Sequence, residues 1–310
     1  RKFKIAVTGA AVDRAAIAFH DIGIRFKRSD AGQIIAEIWA GGGQGRTPMK
    51  AVCIREDLPR IHLLSYVEAI LRIYNLYGRR DNKYKARIKI LVNSLGGDDF
   101  KAQVEQEWQH LKDGVLKLTD EELQPFIERF QPPCGPTDLP PDTLDAEGIL
   151  DPEFGLFLKN NVFEHKLKGL SIVSVTFKNH GLPPGDVTAD QMEQLADLAD
   201  RYAHGEVVVT HRQNLVFPHV RQTDVKSLWR ALEALGLHRG HTDRASDLIC
   251  CPGLDYCSLA NARSIGVAQT LTARLQEMDN ALNLGPIHLN MSGCINACGH
   301  HHVGQIGILG

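Results

Sequence analysis

The apolar positions in the first part of the chain predict both strands and helices. Residues 34–39 are nearly all apolar and predict a strand, which leads into a glycine-rich turn at 41–45. Apolar residues three and four positions apart predict a helix over 63–77, and a more polar helix is predicted over 100–112. This first section, up to residue 130, therefore predicts short strands mixed with helices.

The second half of the chain shows a strand, a helix, a strand and a helix in turn. Residues 170–177 alternate as a strand, and Thr188 is the predicted N-cap of the helix that follows. Residues 206–210 predict a second strand, and Thr223 or Asp224 would cap a second helix. Elements of these lengths in this order predict an α+β half-domain of ferredoxin-like type.

A proline-rich segment separates these two parts. Residues 131–152 contain linker or turn chemistry, in the form of Pro132, Pro133, Gly135, Pro136, Pro140 and Pro141. With this segment as the linker, the predicted domains are residues 1–130, 153–240 and 241–310.

Composition and charge argue against two classes of function. The chain has 310 residues, of which 43% are hydrophobic, and no apolar run approaches the ~18 to 20 residues that span a bilayer. A formal net charge of −2 supplies no overall basic field for nucleic acid. We therefore expect neither a membrane-spanning protein nor one that binds nucleic acid.

Cysteine usage and the two chain ends predict the compartment and the extent of the protein. Seven unevenly spaced cysteines in a long chain argue against a disulfide framework and favour a reducing compartment. We expect the cytoplasm, with an organelle as the alternative because the sequence starts without a methionine. Both ends have the pattern of strand interiors, so we expect an internal fragment of a longer protein.

Four of the cysteines form two pairs flanked by glycine and proline. Cys251 and Cys257 are spaced C-x5-C, and Cys294 and Cys298 are spaced C-x3-C. Four thiolates are the complement of a 4Fe–4S cluster, one for each iron, which favours a redox protein. Structural zinc is one alternative, with the histidines at 300–302 as substitute ligands, although a C-x5-C pair is long for zinc. Ordinary buried thiols are another. The remaining cysteines are interpreted as structural or incidental, namely Cys53, Cys134 and Cys250.

Basic residues two positions apart occur at the start of the chain and again in its first half. Lys2 and Lys4 alternate on a predicted strand, so both ammonium groups would leave one face and could bind a small oxyanion between them. Lys85 and Arg87 repeat this spacing within the basic segment 78–89, which could neutralise the carboxylates of a cofactor. A solvated basic surface is the alternative for both pairs.

Together these motifs resemble a known family, the sirohaem-containing sulfite and nitrite reductases. The paired cluster motif of that family is similar to Cys251-Pro-Gly-Leu-Asp-Tyr-Cys257 followed by Ser292-Gly-Cys294-Ile-Asn-Ala-Cys298-Gly. Its anion-binding strand resembles Arg1-Lys2-Phe3-Lys4, and its repeated half-domain signature resembles Thr210-His-Arg212-Gln213-Asn214. The three matches occur in the family's order and extend over nearly the whole chain.

The resemblance implies an α+β fold in which sirohaem/4Fe–4S domain halves accompany a ferredoxin-like half-domain. It implies that the four paired cysteines hold the 4Fe–4S cluster and that the sulfur of Cys298 bridges this cluster to the iron of sirohaem. Lys2 and Lys4 would stabilise the bound oxyanion and supply protons. Lys85 and Arg87 would contact sirohaem carboxylates.

The resemblance also indicates which parts of a complete site this chain lacks. The family's active site draws arginines from an earlier half-domain, so we expect the chain to be catalytically incomplete by itself. The later copy of the signature need not touch the haem, so Arg212 and Asn214 are left out of the expected site. The glycine-rich segment 41–46 would approach the macrocycle, with a plain turn as the alternative.

Sulfite reduction to sulfide is the predicted reaction, and nitrite reduction to ammonia by the same cofactors is the alternative. The paired cations Lys2 and Lys4 suit the more highly charged sulfite, whereas nitrite-preferring relatives often carry a neutral amide at the second position. The electron donor would be a ferredoxin or a flavoprotein reductase. A non-catalytic iron–sulfur electron-transfer module is a further interpretation. An oxygenase relative that acts on a tetrapyrrole is another, and the paired lysines argue against it.

Overall fold

The computed structural model describes residues 3–131, 133, 151–178, 182–282 and 284–310. The chain divides into two compact units, residues 1–131 and 132–310. Lys2, Cys134 and nearly all of the predicted linker lie outside the described residues. No helix in the described part of the chain is long and apolar enough to cross a membrane.

The first unit is built on a mixed sheet covered by helices. Its strands are β1 (Ile5–Thr8), β2 (Ile22–Arg28), β3 (Ile34–Ala40) and β4 (Val52–Pro59), in the order β1-β2-β3-β4. Strand β1 is parallel to β2, and the other neighbouring pairs are antiparallel. The helices are α1 (Leu63–Tyr77), α2 (Ile88–Leu95), α3 (Gly97–Leu111) and α4 (Asp120–Arg129).

The strand predicted over 34–39 and the helix predicted over 63–77 are confirmed. The predicted polar helix is also present as α3, but it begins at Gly97, directly after Gly96 ends α2 with a φ of 91°. The core of this unit forms where α1, α2 and α3 pack on the sheet, and it includes the fully buried Tyr66, Ile70 and Phe100.

The second unit begins with the predicted half-domain. Its elements are α5 (Pro152–Asn161), β5 (Val162–Glu164), β6 (Leu170–Thr176), α6 (Ala189–Tyr202), β7 (Val208–Val209), β8 (Asn214–Arg221) and α7 (Val225–Ala234). The strands form an antiparallel sheet in the order β5-β6-β8-β7. Helices α6 and α7 bury Leu195, Leu228 and Trp229 against it.

Local signals located most of this half-domain. The predicted N-cap Thr188 is confirmed, because its hydroxyl accepts the N–H of Gln191 at 3.1 Å in a capping box. The strand predicted over 206–210 is reduced to Val208–Val209, and the longer strand β8 was not predicted. At the start of the predicted strand the Glu206 N–H bonds the Ala203 carbonyl oxygen in a turn, and at its end the Thr210 hydroxyl accepts the N–H groups of Arg212 and Asn214, which begins the turn into β8.

A small parallel sheet completes the second unit. Strands β9 (Ile249–Cys250), β10 (Leu289–Ser292) and β11 (Ile306–Leu309) lie in the order β11-β10-β9, and helix α8 (Ile265–Leu282) connects β9 to β10. Met291 pairs with Cys250 in the parallel register. The carboxyl ends of β9 and β10 therefore meet at one edge, where both cysteine pairs begin.

Candidate cofactor site

Two loops carry the four paired cysteines, and we call residues 251–257 and 292–299 the cysteine loops. Cys251 follows β9 directly, and Cys294 follows β10 after a single glycine. Because these strands are parallel neighbours, the loops leave the sheet side by side. The fold thus brings together two pairs that are separated in the sequence by a whole helix.

Glycine backbones allow the two cysteine loops to touch. A Cβ on Gly293 would lie 2.9 Å from the Cα of Gly253 and 2.8 Å from the carbonyl oxygen of Ala262. The Gly293 carbonyl accepts two backbone N–H groups, from Asn261 at 2.8 Å and from Ala262 at 3.1 Å. Gly253 has a φ of 59°, and a Cβ there would clash with the hydroxyl of Ser264. Side chains at these glycines would force the loops apart.

Backbone and hydroxyl donors fix the position of Cys251. The N–H of Gly293 donates to the Cys251 sulfur at 3.1 Å. The hydroxyl of Ser264 donates to the Cys251 carbonyl oxygen at 2.6 Å. Hydrogen bonds to sulfur are one means by which proteins tune iron–sulfur clusters, so this donor set fits such a cofactor.

The four paired cysteines differ in their exposure to solvent. Cys294 is buried, Cys251 and Cys257 are half-buried, and Cys298 is exposed. The short turn between the last two cysteines contains Ala297 at a φ of 58°, a left-handed conformation that costs a residue with a side chain about 1–3 kcal/mol. Strain of this kind marks a turn whose shape serves a site.

No three His, Cys, Asp or Glu side chains among the described residues are gathered in a way that could hold one metal ion. A four-iron cluster has a different requirement, because each thiolate binds its own iron and the sulfurs stay apart. The cysteine donor set, the contact between glycine backbones and the N–H directed at sulfur together fit a 4Fe–4S cluster.

The other described cysteines have structural surroundings. Burial raises the pKa of Cys250 to about 11, so this thiol stays protonated, and it donates to the Cys251 carbonyl oxygen at 3.1 Å. Burial also raises the pKa of Cys53, whose thiol donates to the Arg55 carbonyl oxygen at 3.5 Å. Both agree with the structural role that was expected of them.

The signature turn, residues 210–214, contacts Asp247 and Cys250 just before the first cysteine loop, and its Arg212 and Asn214 are buried. Arg212 donates through Nε to the Asp247 carboxylate at 3.2 Å, and Asn214 donates to the same carboxylate at 2.9 Å. Gln213 makes two hydrogen bonds to the backbone of Cys250. Arg212 and Asn214, which were left out of the expected site, thus share the carboxylate of Asp247.

Lys178 and Asp247 are functional-site neighbours that the sequence reasoning missed. Both side chains are fully buried, and the Lys178 Nζ lies 3.3 Å from an Asp247 carboxylate oxygen. Burial lowers the pKa of Lys178, and Asp247 opposes this shift. Only Lys178 follows an apolar strand, and nothing in the local sequence around Asp247 indicates that the two residues pair.

In the first unit, Asp21 joins two of the predicted site residues. Its fully buried carboxylate accepts the backbone N–H of Lys4 at 2.9 Å. The same carboxylate binds Arg87 through Nε at 3.1 Å and through Nη2 at 2.6 Å. Lys4 and Arg87 thus meet at one aspartate, which the sequence analysis did not single out.

Two details of the basic residues were predicted wrongly. Lys4 precedes β1 instead of lying within it, because its N–H is bonded to Asp21, although its carbonyl oxygen still accepts the N–H of Ile22 at 3.1 Å. Lys85 and Arg87 do not share one face of a strand. The Lys85 N–H bonds the Asn82 carbonyl oxygen in a turn, which leaves Lys85 exposed while Arg87 is directed to Asp21.

The glycine loop, residues 41–46, is held by the basic segment. The Lys89 ammonium donates to the carbonyl oxygens of Gln44 at 3.0 Å and Thr47 at 2.5 Å. A Cβ on Gly43 would lie 2.8 Å from Nη2 of Arg87. Burial lowers the pKa of Lys89, which is 6% exposed. Part of the basic segment is therefore internal support for this loop and not solvated surface.

Comparison with known proteins gives two matches to family models. Residues 1–112 match the model described as nitrite and sulphite reductase 4Fe-4S domain. Residues 174–235 match the model described as nitrite/sulfite reductase ferredoxin-like half domain. The predicted α+β fold class is confirmed by these matches and by the mixed sheets and helices described above.

Curated relatives match over the full chain. It is 28% identical to "Sulfite reductase [ferredoxin] 1" of Mycolicibacterium paratuberculosis, covering 100% of this chain and 49% of that protein. It is 25% identical to "Ferredoxin--nitrite reductase" of Synechococcus elongatus, covering 100% of this chain and 53% of that protein. The chain spans about half the length of the curated relatives it matches.

One solved structure shares the fold across nearly all of the chain. The structure of the Mycobacterium tuberculosis NirA protein superposes with a TM-score of 0.72 at 24% identity. The superposition covers 99% of this chain and 50% of that one.

Proposed function

Because the chain belongs to the nitrite and sulphite reductase family, we propose that it contributes to the sirohaem-dependent reduction of sulfite to sulfide. In this proposal a 4Fe–4S cluster passes electrons to sirohaem, and the reaction serves sulfur assimilation. Nitrite reduction to ammonia is the second candidate, since both kinds of reductase occur among the relatives at similar identity. A reducing compartment is required for free ligand thiols, and we propose the cytoplasm.

The observation that carries this proposal is the pairing of the cysteine loops at one edge of a parallel sheet. Their glycine backbones make contact, and the Gly293 N–H is directed at the Cys251 sulfur. We assign the cluster irons to the thiolates of Cys251, Cys257, Cys294 and Cys298. Cys298 is the most exposed of the four, which supports its assignment as the cysteine next to a second cofactor.

The two cofactors, when bound, supply the electron transfers to the substrate. The protein residues supply charge, orientation and protons. The exposed ammonium of Lys4 would bind the oxyanion and donate a proton as its oxygens leave as water, together with Lys2. The bond from the Lys4 N–H to Asp21 would fix the direction in which this segment presents its side chains.

We propose that Lys85 and Arg87 contact the sirohaem carboxylates, and Lys85 is the stronger candidate of the two. Lys85 is exposed and can bind a carboxylate without giving up a described ion pair. Arg87 already forms a two-pronged pair with Asp21, and its Nη1 donates to the Gln44 carbonyl oxygen at 3.5 Å, so a cofactor carboxylate would have to compete for its remaining N–H groups. Its more direct proposed role is to hold Asp21.

We propose sulfite as the preferred substrate over nitrite because of the charge of the site. Two cations at positions 2 and 4 favour the more highly charged oxyanion. A ferredoxin is the proposed electron donor because the relatives carry that donor in their names, and a flavoprotein reductase is the alternative.

The test uses the complete protein that contains this chain. Anaerobic turnover is measured with sulfite and nitrite, each with reduced ferredoxin and with a flavoprotein donor. We expect turnover with sulfite to exceed that with nitrite, and an absorption spectrum with sirohaem bands in addition to those of the cluster. A protein with the cluster spectrum alone and no turnover would be an electron-transfer module instead.

Cys298→Ser supplies the site-specific arm of this test, with Cys53→Ser as its control. Cys298→Ser should impair the cluster and abolish sirohaem reduction, whereas Cys53→Ser should leave both unchanged because Cys53 lies outside the cysteine loops. Intact electron transfer from cluster to sirohaem in Cys298→Ser would contradict the bridging role.

A further inference from the structure

The amide of Gln213 pairs with the backbone of Cys250 in the way that one strand pairs with another. Its Nε2 donates to the Cys250 carbonyl oxygen at 2.9 Å, and its Oε1 accepts the Cys250 N–H, also at 2.9 Å. Cys250 directly precedes the first ligand of the proposed cluster. A single side chain thus satisfies both backbone groups of the residue next to Cys251.

The backbone of Gln213 is held in one particular conformation that directs its side chain to Cys250. Its φ is 60°, an unfavourable region for a residue with a side chain, which persists only where the surroundings enforce it. The Thr210 hydroxyl enforces it by accepting the N–H groups of Arg212 and Asn214, both at 3.2 Å. A Cβ on Gly185 would lie 2.9 Å from the Cβ of Gln213, so only glycine leaves room for it.

The rest of the signature turn fixes the chain just before Cys250. Asp247 receives hydrogen bonds from Arg212 and from Asn214, and its carboxylate also accepts the backbone N–H of Asp243 at 3.1 Å. The approach to Cys251 is therefore anchored twice, once at Asp247 and once at Cys250. Gln213 forms the anchor nearer to the ligand.

We propose that Gln213 is a positioning residue for the cluster ligand Cys251. Through Cys250 it sets where the Cys251 sulfur lies relative to the Gly293 N–H, and so it sets the strength of that hydrogen bond. This inference rests on the proposed function, because it requires the 4Fe–4S cluster.

A direction for the redox effect follows from charge. An N–H donor at a ligand sulfur stabilises the reduced cluster, which carries one more negative charge, and therefore raises its reduction potential. Loosening Cys251 weakens this donation. The potential should fall, and the cluster should be lost more readily to a chelator.

The test compares Gln213→Glu with Gln191→Glu in the holoprotein. In Gln213→Glu a carboxylate oxygen replaces Nε2 and faces the Cys250 carbonyl oxygen. The two oxygens repel each other, so the side chain no longer pairs with the Cys250 backbone. Gln191 is a matched control, since its amide also accepts one backbone N–H, from Thr188, and donates to one backbone carbonyl oxygen, of Leu235. The readouts are the cluster's midpoint potential, its electron paramagnetic resonance spectrum and the rate of iron release to a chelator.

We expect Gln213→Glu to lower the midpoint potential, to alter the resonance spectrum and to release iron about tenfold faster, as the loss of a buried hydrogen-bonded pair implies. Gln191→Glu should match the wild type in all three readouts. Gln213→Met, which keeps the side-chain length without a charge, should change them in the same direction and less strongly.

Unchanged potential and spectrum in both Gln213 variants would overturn the inference. If both variants instead lose the folded protein together with the cluster, the residue supports the fold generally, and the inference is equally overturned. A wild-type holoprotein without a 4Fe–4S signal would overturn the proposed function itself, which keeps the two failures distinct.

Discussion

Asp247→Asn removes one negative charge from the most deeply buried ion network of the described residues. The carboxylate of Asp247 is fully buried and faces the Lys178 ammonium at 3.3 Å and the Arg212 Nε at 3.2 Å. It also accepts hydrogen bonds from Asn214 at 2.9 Å and from the backbone of Asp243 at 3.1 Å. The substitution keeps the shape of the side chain and leaves Lys178 buried without its anion.

The expected cost is large. Removing one partner of a buried ion pair costs about 3–5 kcal/mol, because the remaining charge has neither water nor a counter-ion. Domains are stable by about 5–15 kcal/mol, so this is about a fifth or more of the free energy of unfolding. At about 2–4 °C per kcal/mol for a unit of this size, the melting temperature should fall by roughly 6–20 °C.

The loss of stability in Asp247→Asn should also depend on pH, and the direction of this dependence follows from the pKa of Lys178. Burial already lowers the pKa of Lys178, so the folded state binds its proton less tightly than the unfolded state. A base of this kind opposes folding below its folded-state pKa and ceases to do so as the pH rises. Without the Asp247 carboxylate the pKa of Lys178 falls further. The stability difference between wild type and Asp247→Asn should therefore shrink as the pH is raised from about 7 toward the ordinary lysine pKa of about 10.

The assay is thermal unfolding of the holoprotein followed by circular dichroism, with Glu233→Gln as the control. Glu233 pairs with Arg230 at 2.9 Å on the surface of the same unit, and an exposed pair of this kind contributes about 0–1 kcal/mol. A loss of stability in Asp247→Asn no larger than that in Glu233→Gln would refute the argument from burial.

Three further predictions concern other parts of the chain. Lys4→Asn in the complete protein should lower the ratio of sulfite to nitrite turnover, and an unchanged ratio in steady-state assays would contradict the charge argument. Lys89→Met should loosen the glycine loop, because the carbonyl oxygens of Gln44 and Thr47 lose their common donor, at about 0.5–1.5 kcal/mol for each hydrogen bond; faster amide exchange over residues 41–46 would show it, and exchange at the wild-type rate would speak against it. His219 shares a ring–ring hydrogen bond of 3.1 Å with His165, and burial lowers the pKa of His219, so protons bind the unfolded state preferentially. Stability should therefore fall as the pH drops through about 6.5, and His219→Gln should flatten that part of the plot of melting temperature against pH; an unchanged plot would contradict this assignment.

Features with a local signal were predictable from the sequence. Helix α1 was located because its apolar residues recur every three to four positions, and helix α6 because Thr188 is a recognisable N-cap residue. The cysteine pairs were recognisable because ligand spacing and neighbouring glycines are local properties. The family resemblance rested on the same short segments, and the matching family models support it.

The partners of the buried charges were not predictable in this way. Arg87 was expected to bind a cofactor carboxylate, yet its guanidinium binds Asp21, which lies 66 positions away in the sequence. In the sequence Gln213 is only one position of the half-domain signature. The fold pairs its amide with the backbone of Cys250, 37 positions away. Which polar groups become neighbours depends on how strands and loops cross in three dimensions. The need to satisfy a buried charge or amide then selects the partner, and neither step leaves a periodic trace in the amino-acid sequence.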